Sequence, residues 1–438
     1  MNKPGFNLTS LTCLVIANMI GAGVFTTSGF ALGDLGTPER VLLAWVIGGG
    51  VAFCGALSYG ALVRRMTESG GEYLFLSRAV HPLLGFVAGW VSLLAGFTGA
   101  IAFAATTFET YVLPDSMRPA FLPRDVVASA VVLLAGAVHG RRVEVGAQSQ
   151  NLIVGVKLGL IGLFLLYALA KFSAPVWHGG PIPAPGEPLP PFSFPAFAVT
   201  LMWISLSYSG FNAAVYVAGE ARNAEVIAPQ SMVIGTLIVT AIYLALNAIF
   251  VYAPAPEAIA YQQDVAARAA FALGGAPLAL FVRAIIALAL LTSVLSMVMA
   301  GPRVYARMAE DGVLPALFRM QEDIPRTAIS LQVILAITVI WIAELQELLS
   351  YLGFTLSVSA AVTVASLFVL RRREGAERLP IPGYPFVPGL FVLCTLGFAG
   401  LAAVRRPLEP LVGVATILMG IVLYVLMTRR HAVRTPQA

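Results

Sequence analysis

Two glycine-bearing stretches, Ile20-Gly21-Ala22-Gly23 and Ser207-Tyr208-Ser209-Gly210, interrupt otherwise apolar runs of this chain. Glycine lets a helix unwind, and an unwound turn frees backbone N–H and C=O groups for other partners. Inside a membrane such groups are tolerated only where they line a cavity or are buried in protein. At the first break one half-helix ends near Ile20 and another begins near Ala22. The N–H groups of Ala22, Gly23 and Val24 then lie at a positive dipole end suited to a carboxylate. At the second, carbonyls around Leu206, Ser207 and Ser209 are placed to accept hydrogen bonds from an ammonium group. The two sets match the two ends of a zwitterion, an α-amino acid. Either motif alone reads as close packing of small residues between helices. Their paired placement favours a binding site.

Lys157 lies near the middle of the apolar stretch 151–167. A charge at that depth costs about 2.5–3.5 kcal/mol on insertion scales, so the ammonium group must face protein or water and find acceptors. It is placed to hold freed carbonyls of the first span against the eighth, where Thr292, Ser293 and Ser296 offer oxygens. Two roles stay open, a proton-linked switch and a fixed internal cation. Arg283, near the end of its span, is expected to snorkel to the interface. His81, His139, His178 and His431 have no ligand spacing, so neither a metal nor another cofactor is expected. Cys13, Cys54 and Cys394 sit in apolar runs and suggest no disulfide framework. No nucleophile and base constellation is visible, which argues against an enzyme.

These residues need apolar helices to carry them, and the composition supplies them. Of 438 residues 58% are hydrophobic and 11% charged, and the mean hydropathy is +0.86, against a charged share of about 25% in soluble domains. The chain reads as an all-α integral membrane protein. Its net charge of +5 is spread over short loops rather than gathered in a stripe, so nucleic acid is not a partner. Windows long enough to span can be marked at 8–32, 41–63, 83–111, 125–139, 147–170, 195–219, 231–252, 277–304, 328–343, 348–370, 388–404 and 408–427. That makes twelve transmembrane helices with both termini on one side. Lys3, Arg64, Arg65, Arg78, Arg141, Arg142, Arg222, Arg303, Arg307, Arg319, Arg326, Arg371, Arg372, Arg373, Arg378, Arg429, Arg430 and Arg434 fall on the N-terminal side, and the smaller set Arg40, Arg118, Arg124, Lys171, Arg268, Arg405 and Arg406 on the other. Both termini are therefore expected in the cytoplasm. The first span, with no clear cleavage site behind it, is expected to be retained.

A proline-rich loop, 171–194, divides the chain and is expected to be extended and extracellular. Residues 1–170 hold five spans and 195–371 five more, each half opening with a glycine break. An odd number of spans forces the two copies into opposite orientations, which makes an inverted repeat. Residues 386–428 add two peripheral spans.

Beyond the two breaks, Glu68-Ser69-Gly70-Gly71-Glu72-Tyr73 and the run from Arg303-Val304-Tyr305-Ala306-Arg307 through Gly312-Val313-Leu314-Pro315 stand in loops of the N-terminal side. Together with Ile20-Gly21-Ala22-Gly23-Val24-Phe25 and Tyr208-Ser209-Gly210-Phe211-Asn212, they make the chain resemble the amino acid–polyamine–organocation transporter superfamily. The resemblance implies a 5+5 inverted-repeat core with discontinuous helices 1 and 6, plus two peripheral helices, working by alternating access. It implies substrate carboxylate contacts at Gly21, Ala22 and Gly23, and ammonium contacts at the carbonyls of Met19, Leu206, Ser207 and Ser209. Tyr208 would stand as an aromatic gate beside Ile20 and Gly210. Lys157, with Ser293 and Ser296, would take the place that a sodium ion fills in other members. The expected activity is sodium-independent, proton-coupled transport of neutral L-amino acids across the plasma membrane. Exchange with Lys157 as a fixed cation, or a non-transporting amino acid sensor, are the alternatives. Asn212 stands where some relatives carry an acidic residue, so a cationic substrate is not implied. No cysteine lies in an outer loop to hold a single-span partner subunit.

Overall fold

The computed structural model describes residues 6–140, 147–172, 174, 176–182, 191–321, 324–377 and 379–434. Lys3, Arg141, Arg142 and Arg378 of the charge pattern, and Pro175, Pro183, Pro185, Pro188 and Pro190 of the loop, lie outside them. The described residues are helical, with no β-strand and two isolated bridges, Phe6 to Ala221 and Gln321 to Ile324.

The first window holds two helices, α1 (Leu8–Met19) and α2 (Ala22–Leu35), and α3 (Pro38–Arg65) fills the second. A short helix α4 (Gly71–Ala79) precedes α5 (Pro82–Val91), which runs through a π-helical turn, Ser92–Gly99, into α6 (Ala100–Val112). Then come α7 (Val126–His139), α8 (Ala147–Ala170), α9 (Phe194–Ser207), α10 (Ala224–Tyr252), the single turn α11 (Pro256–Ile259) and α12 (Val265–Glu310). The chain closes with α13 (Arg326–Ile342), α14 (Leu345–Glu374), α15 (Phe386–Arg405) and α16 (Leu408–Arg434). Among the described residues, nine helical stretches are long and apolar enough to cross a bilayer, and the shorter apolar helices α7, α9 and α13 fall in the fourth, sixth and ninth windows.

Local chemistry sets the boundaries. Asn7 Oδ1 accepts from the Ser10 N–H at 2.9 Å and starts α1. Thr37 and Ser193 cap α3 and α9, each followed by a proline within the first two helical positions. Gly36, at φ +77°, ends α2 in the left-handed conformation that glycine adopts most readily.

The sixth window, 195–219, breaks at the glycine motif, where α9 stops at Ser207; beyond the break two 3₁₀ turns, Ala213–Tyr216 and Ala218–Glu220, stand in place of a second half-helix. Gly210 at φ +103° turns the chain out of the helical path there. The eighth window, 277–304, lies within α12, and the helical stretch ahead of it is set off by the non-helical pair Gly274 and Gly275.

The helices pack in two groups. In one, α1 lies on α10, α2 on α9, and α10 along α3; in the other, α12 packs on α6 and α7, and α13 on α7. Small residues permit the close approach: a Cβ on Gly49 of α3 would stand 2.6 Å from the Thr240 methyl of α10.

Two charged residues find partners within the protein. The Arg283 guanidinium pairs with Asp264 at 2.6 Å and approaches the Tyr111 carbonyl at 3.3 Å. A nearby carboxylate made this pairing available, and it lies nineteen positions away in the chain. Glu109, near the end of α6, is buried and engaged. It pairs with Arg118 at 2.7 Å and accepts from the N–H groups of Asp125 and Ala128 at 2.9 and 2.7 Å, capping α7.

Removing one member of such a buried pair strands the other charge. Glu109→Ala is expected to destabilise the protein by about 3 kcal/mol, read as a lower thermal midpoint in detergent, with Glu109→Gln intermediate because it keeps one acceptor oxygen.

Candidate functional site

The first break is built from three residues. Helix α1 ends at Met19, Ile20 turns the chain at ψ 82°, and Gly21 is extended at φ −122°, ψ −158° before α2 begins. The N–H of Gly21 turns back to the Met19 carbonyl at 2.8 Å. Gly21 gives α2 no side-chain cap, so the N–H groups of Ala22, Gly23 and Val24 head a fourteen-residue helix with no acceptor among the described residues. Gly21, Ala22 and Gly23 line a cavity of about 560 Å³. Uncapped donors at a helix start, facing a cavity, form a ready anion site.

Facing them are the ends of α1 and α9. Leu206, Ser207, Tyr208, Ser209 and Gly210 line the same cavity, as does Met19. Several of these carbonyls already have partners. The Leu206 carbonyl accepts from Ser209 N–H at 2.9 Å, and that of Ile20 accepts from Lys157 Nζ at 2.5 Å. Tyr243 of α10 reaches both breaks: its hydroxyl donates to the Met19 carbonyl and stands 3.0 Å from that of Ser207. One phenolic proton serves one carbonyl at a time, so the other keeps its capacity to accept from a ligand. The Ser209 carbonyl meets no donor among the described residues.

The glycines differ in what surrounds them. A Cβ on Gly21 would meet nothing closer than the Met19 oxygen at 3.9 Å, so this position opens onto the cavity. A Cβ on Gly23 would fall 2.4 Å from Ser207 Oγ, and one on Gly210 would fall 2.8 Å from the Asn18 carbonyl group. Gly23 and Gly210 therefore let the two broken helices touch, whereas Gly21 opens onto the cavity.

Lys157 is 2% exposed and lies on α8, which packs on both α1 and α12. Among the described residues its ammonium group donates to the Ile20 carbonyl. Ser293 and Ser296 line the cavity from α12, but the Ser293 and Thr292 hydroxyls bond back to the Ala289 carbonyl, at 3.0 and 2.8 Å. Tyr208 is 1% exposed, with its ring 5.7 Å from that of Trp45 and 5.1 Å from that of Tyr243. Its hydroxyl donates to the Trp45 carbonyl at 3.2 Å, so in this conformation it is tied to α3.

Sequence reasoning missed the polar line behind the breaks. Trp45 Nε1 donates to Ser28 Oγ at 2.9 Å, and Ser28 Oγ to Asn247 Oδ1 at 2.5 Å. Asn247 Nδ2 returns to the Tyr243 carbonyl at 2.8 Å. Thr27 and Ser207 hydroxyls meet at 3.1 Å. A signal was available in Tyr243 and Asn247, four apart in an apolar span and so on one helix face. It does not say which backbone they serve.

Among the described residues the cavity opens toward one face. Its lining extends to Glu68, Glu220, Arg303 and Glu310, the face of the N-terminal segment, since Phe6 N–H bonds the Glu220 carbonyl at 3.0 Å. Toward the other face, Tyr261 N–H holds the Gly29 carbonyl at 2.9 Å, a Cβ on Gly29 would strike the Gln262 carbonyl at 2.1 Å, and Phe30 meets Trp203 edge-on at 6.0 Å. Ile182 of the proline-rich loop donates its N–H to the Gly36 carbonyl at 2.9 Å, over the end of α2.

A family described as "Amino acid permease" matches residues 6–427. The chain is 26% identical to the serine/threonine exchanger SteT of Bacillus subtilis (strain 168), over 98% of each chain. It is 25% identical to the Asc-type amino acid transporter 1 of Mus musculus, over 97% of this chain and 81% of that one. With the large neutral amino acids transporter small subunit 2 of Homo sapiens the identity is 24%, over 97% and 80%.

Gly21→Ala is expected to leave the thermal midpoint near wild type while weakening ligand binding, since its methyl enters open cavity. Gly210→Ala is expected to lower stability by about 1–3 kcal/mol, because it both strains the backbone and strikes α1. Thermal unfolding and equilibrium binding on the two variants separate these effects.

Proposed function

The chain belongs to the amino acid permease family, and from that premise we propose that it is a secondary transporter of neutral L-amino acids, working by alternating access without sodium. The observation that carries this reading is the uncapped start of α2 lining the cavity opposite the carbonyl ends of α1 and α9. A zwitterion satisfies both at once: its carboxylate meets the N–H groups of Ala22, Gly23 and Val24, and its ammonium group meets the carbonyls of Ser207 and Ser209 and shares that of Met19 with Tyr243. Around the π-helical turn the lining residues Gly96, Ala100, Phe103 and Ala104 are small or apolar, which suits an uncharged side chain.

In this reading the twelve helical windows all cross the bilayer, residues 1–170 and 195–371 form inverted repeats, and 386–428 are peripheral. The termini and the open mouth of the cavity face the cytoplasm, so the conformation is inward-open. Lys157 replaces a bound sodium ion by holding the Ile20 carbonyl, with Ser293 and Ser296 on the opposite wall. Proton coupling through Lys157 and exchange around a fixed cation are distinct outcomes. The short bond to Ile20, and a relative named as an exchanger, favour keeping the second beside the first. Cys13, Cys54 and Cys394 lie within helices rather than in outer loops, and in this reading no single-span partner subunit is required.

In proteoliposomes, labelled neutral amino acids are expected to accumulate with no sodium requirement. Lys157→Ala abolishing gradient-driven uptake while exchange persists assigns the proton to Lys157; unchanged gradient-driven uptake removes that role. Tyr243→Phe is expected to weaken substrate binding about five- to a hundredfold, equivalent to about 1–3 kcal/mol for a lost hydrogen bond at a buried carbonyl. Isothermal titration of the purified variant measures it.

A further inference from the structure

Glu72 belongs to none of the contacts assigned so far. It sits in the first turn of α4, is 7% exposed and lines the cavity toward the N-terminal face. Two hydroxyls from different helices donate to it: Tyr59 of α3 to Oε1 at 2.5 Å, and Ser359 of α14 to Oε2 at 2.7 Å. The Tyr59 ring packs edge-on against Phe211, one residue beyond Gly210, at 5.4 Å. Glu72 is therefore connected by direct contacts to the second break.

The other polar groups around it are neutral. Thr363 of α14 stands against the Tyr59 hydroxyl, and the Tyr216 phenol bears on Glu72 from the 3₁₀ turn, beside Asn212. Two of the charges nearby at the mouth are engaged elsewhere, Glu68 with Arg78 at 2.6 Å and Arg307 with Asp311 at 3.3 Å, and Glu220, Arg303 and Glu310 also line it without pairing with Glu72. Tyr73, the next residue on α4, donates to Asp311 at 2.8 Å. No Lys, Arg or His pairs with Glu72 among the described residues. A carboxylate so placed is costly unless it takes a proton. Burial pushes the Glu72 carboxyl above the usual carboxylate range, and the hydrogen bonds from Tyr59 and Ser359 bring it part of the way back.

We propose that Glu72 is a proton-binding site at the mouth of the cavity, and that the mouth closes with Glu72 protonated. As a carboxylate it accepts from both hydroxyls and ties α3, in the group that carries the breaks, to α14. Protonation turns one oxygen into a donor, so the carboxyl no longer accepts equally from both sides. Closing the mouth removes cavity water, and a neutral carboxyl enters that dry space at far lower cost than a charged one. The proton comes from cavity water and returns to it on reopening. The proposal rests on the transport reading above, since it concerns the closing step of that cycle.

The test is amino acid exchange by the full chain in proteoliposomes, at equal pH on both sides, scanned from about pH 8 to about pH 5, where carboxyls raised above about 4.3 titrate. Because a carboxyl with a raised pKa is charged above that pKa and neutral below it, the wild-type rate is expected to rise severalfold as pH falls. Glu72→Gln, which is neutral throughout, is expected to give a flat profile at the acid level. Tyr59→Phe and Ser359→Ala each remove a donor that favours the charged form, so both are expected to move the midpoint upward by about one unit. A Glu72→Gln profile identical to wild type overturns the proposal. Should that variant fail to insert, unmoved midpoints in both hydroxyl variants overturn it. Equilibrium binding of a neutral amino acid is measured on the same samples. Absence of binding by wild type counts against the central site, whereas binding that persists in every variant with an unmoved pH profile counts against Glu72 alone.

Discussion

An apolar surrounding gives a bare backbone polar group nowhere to go, and the structure is organised around that constraint. Two helices stop in mid-course, at Met19 and at Ser207, and each stop frees carbonyls and N–H groups that must find partners. Some are met from inside the protein, by Lys157 at Ile20 and by Tyr243 at Met19 and Ser207. The donors at the head of α2 are left to the cavity. The division is uneven in a useful way: the protein's own donors satisfy carbonyls, and the positive helix end stays open.

This division explains the distribution of small residues. Gly23 and Gly210 bring the two interruptions against each other, so that one hydroxyl can reach both. The rings of Trp45, Tyr208 and Tyr243 close around that contact at 5.1–5.7 Å. Behind them, the chain of hydrogen bonds from Trp45 through Ser28 to Asn247 holds α2, α3 and α10 in one unit. Polar groups buried at this depth are satisfied by one another, which makes the unit rigid and its movement collective. On the other flank, α12, α6, α7 and α13 form a separate packed group. A cavity between two such groups, open toward one face and closed toward the other by α2 against the 256–262 segment, is the geometry that motion of one group against the other would alternate.

Charge placement follows the same logic. Carboxylates away from the mouth, Glu109 and Asp264, are paired with arginines. Glu68 at the mouth is paired with Arg78, whose hydrogen bond holds its carboxyl below the ordinary range. Glu72 departs from this pattern by having hydroxyls in place of a cation. A departure from pairing at a buried site is where a change of protonation has most leverage.

The positions of both interruptions were legible in the chain, because glycine at 21 and at 210 combines an apolar run with a backbone that leaves the helix. The apolar windows were legible for the same local reason, since about twenty successive residues decide whether a segment suits a bilayer. Lys157 was conspicuous by its cost, and the freed carbonyls of the first span were its expected acceptors, but that Ile20 is the one it meets came from the structure. What tertiary structure alone decided was partnership across distance: that Tyr243 serves two carbonyls, that Arg283 meets Asp264, that Glu109 caps α7, and that Gly210 packs while Gly21 opens onto space. It also decided that α9 ends in 3₁₀ turns rather than a second half-helix. Helix breaks and membrane windows are properties of neighbouring residues and can be read along the chain. Which hydroxyl or carboxylate faces which backbone group depends on how helices far apart in sequence turn toward each other, and no local pattern carries that orientation.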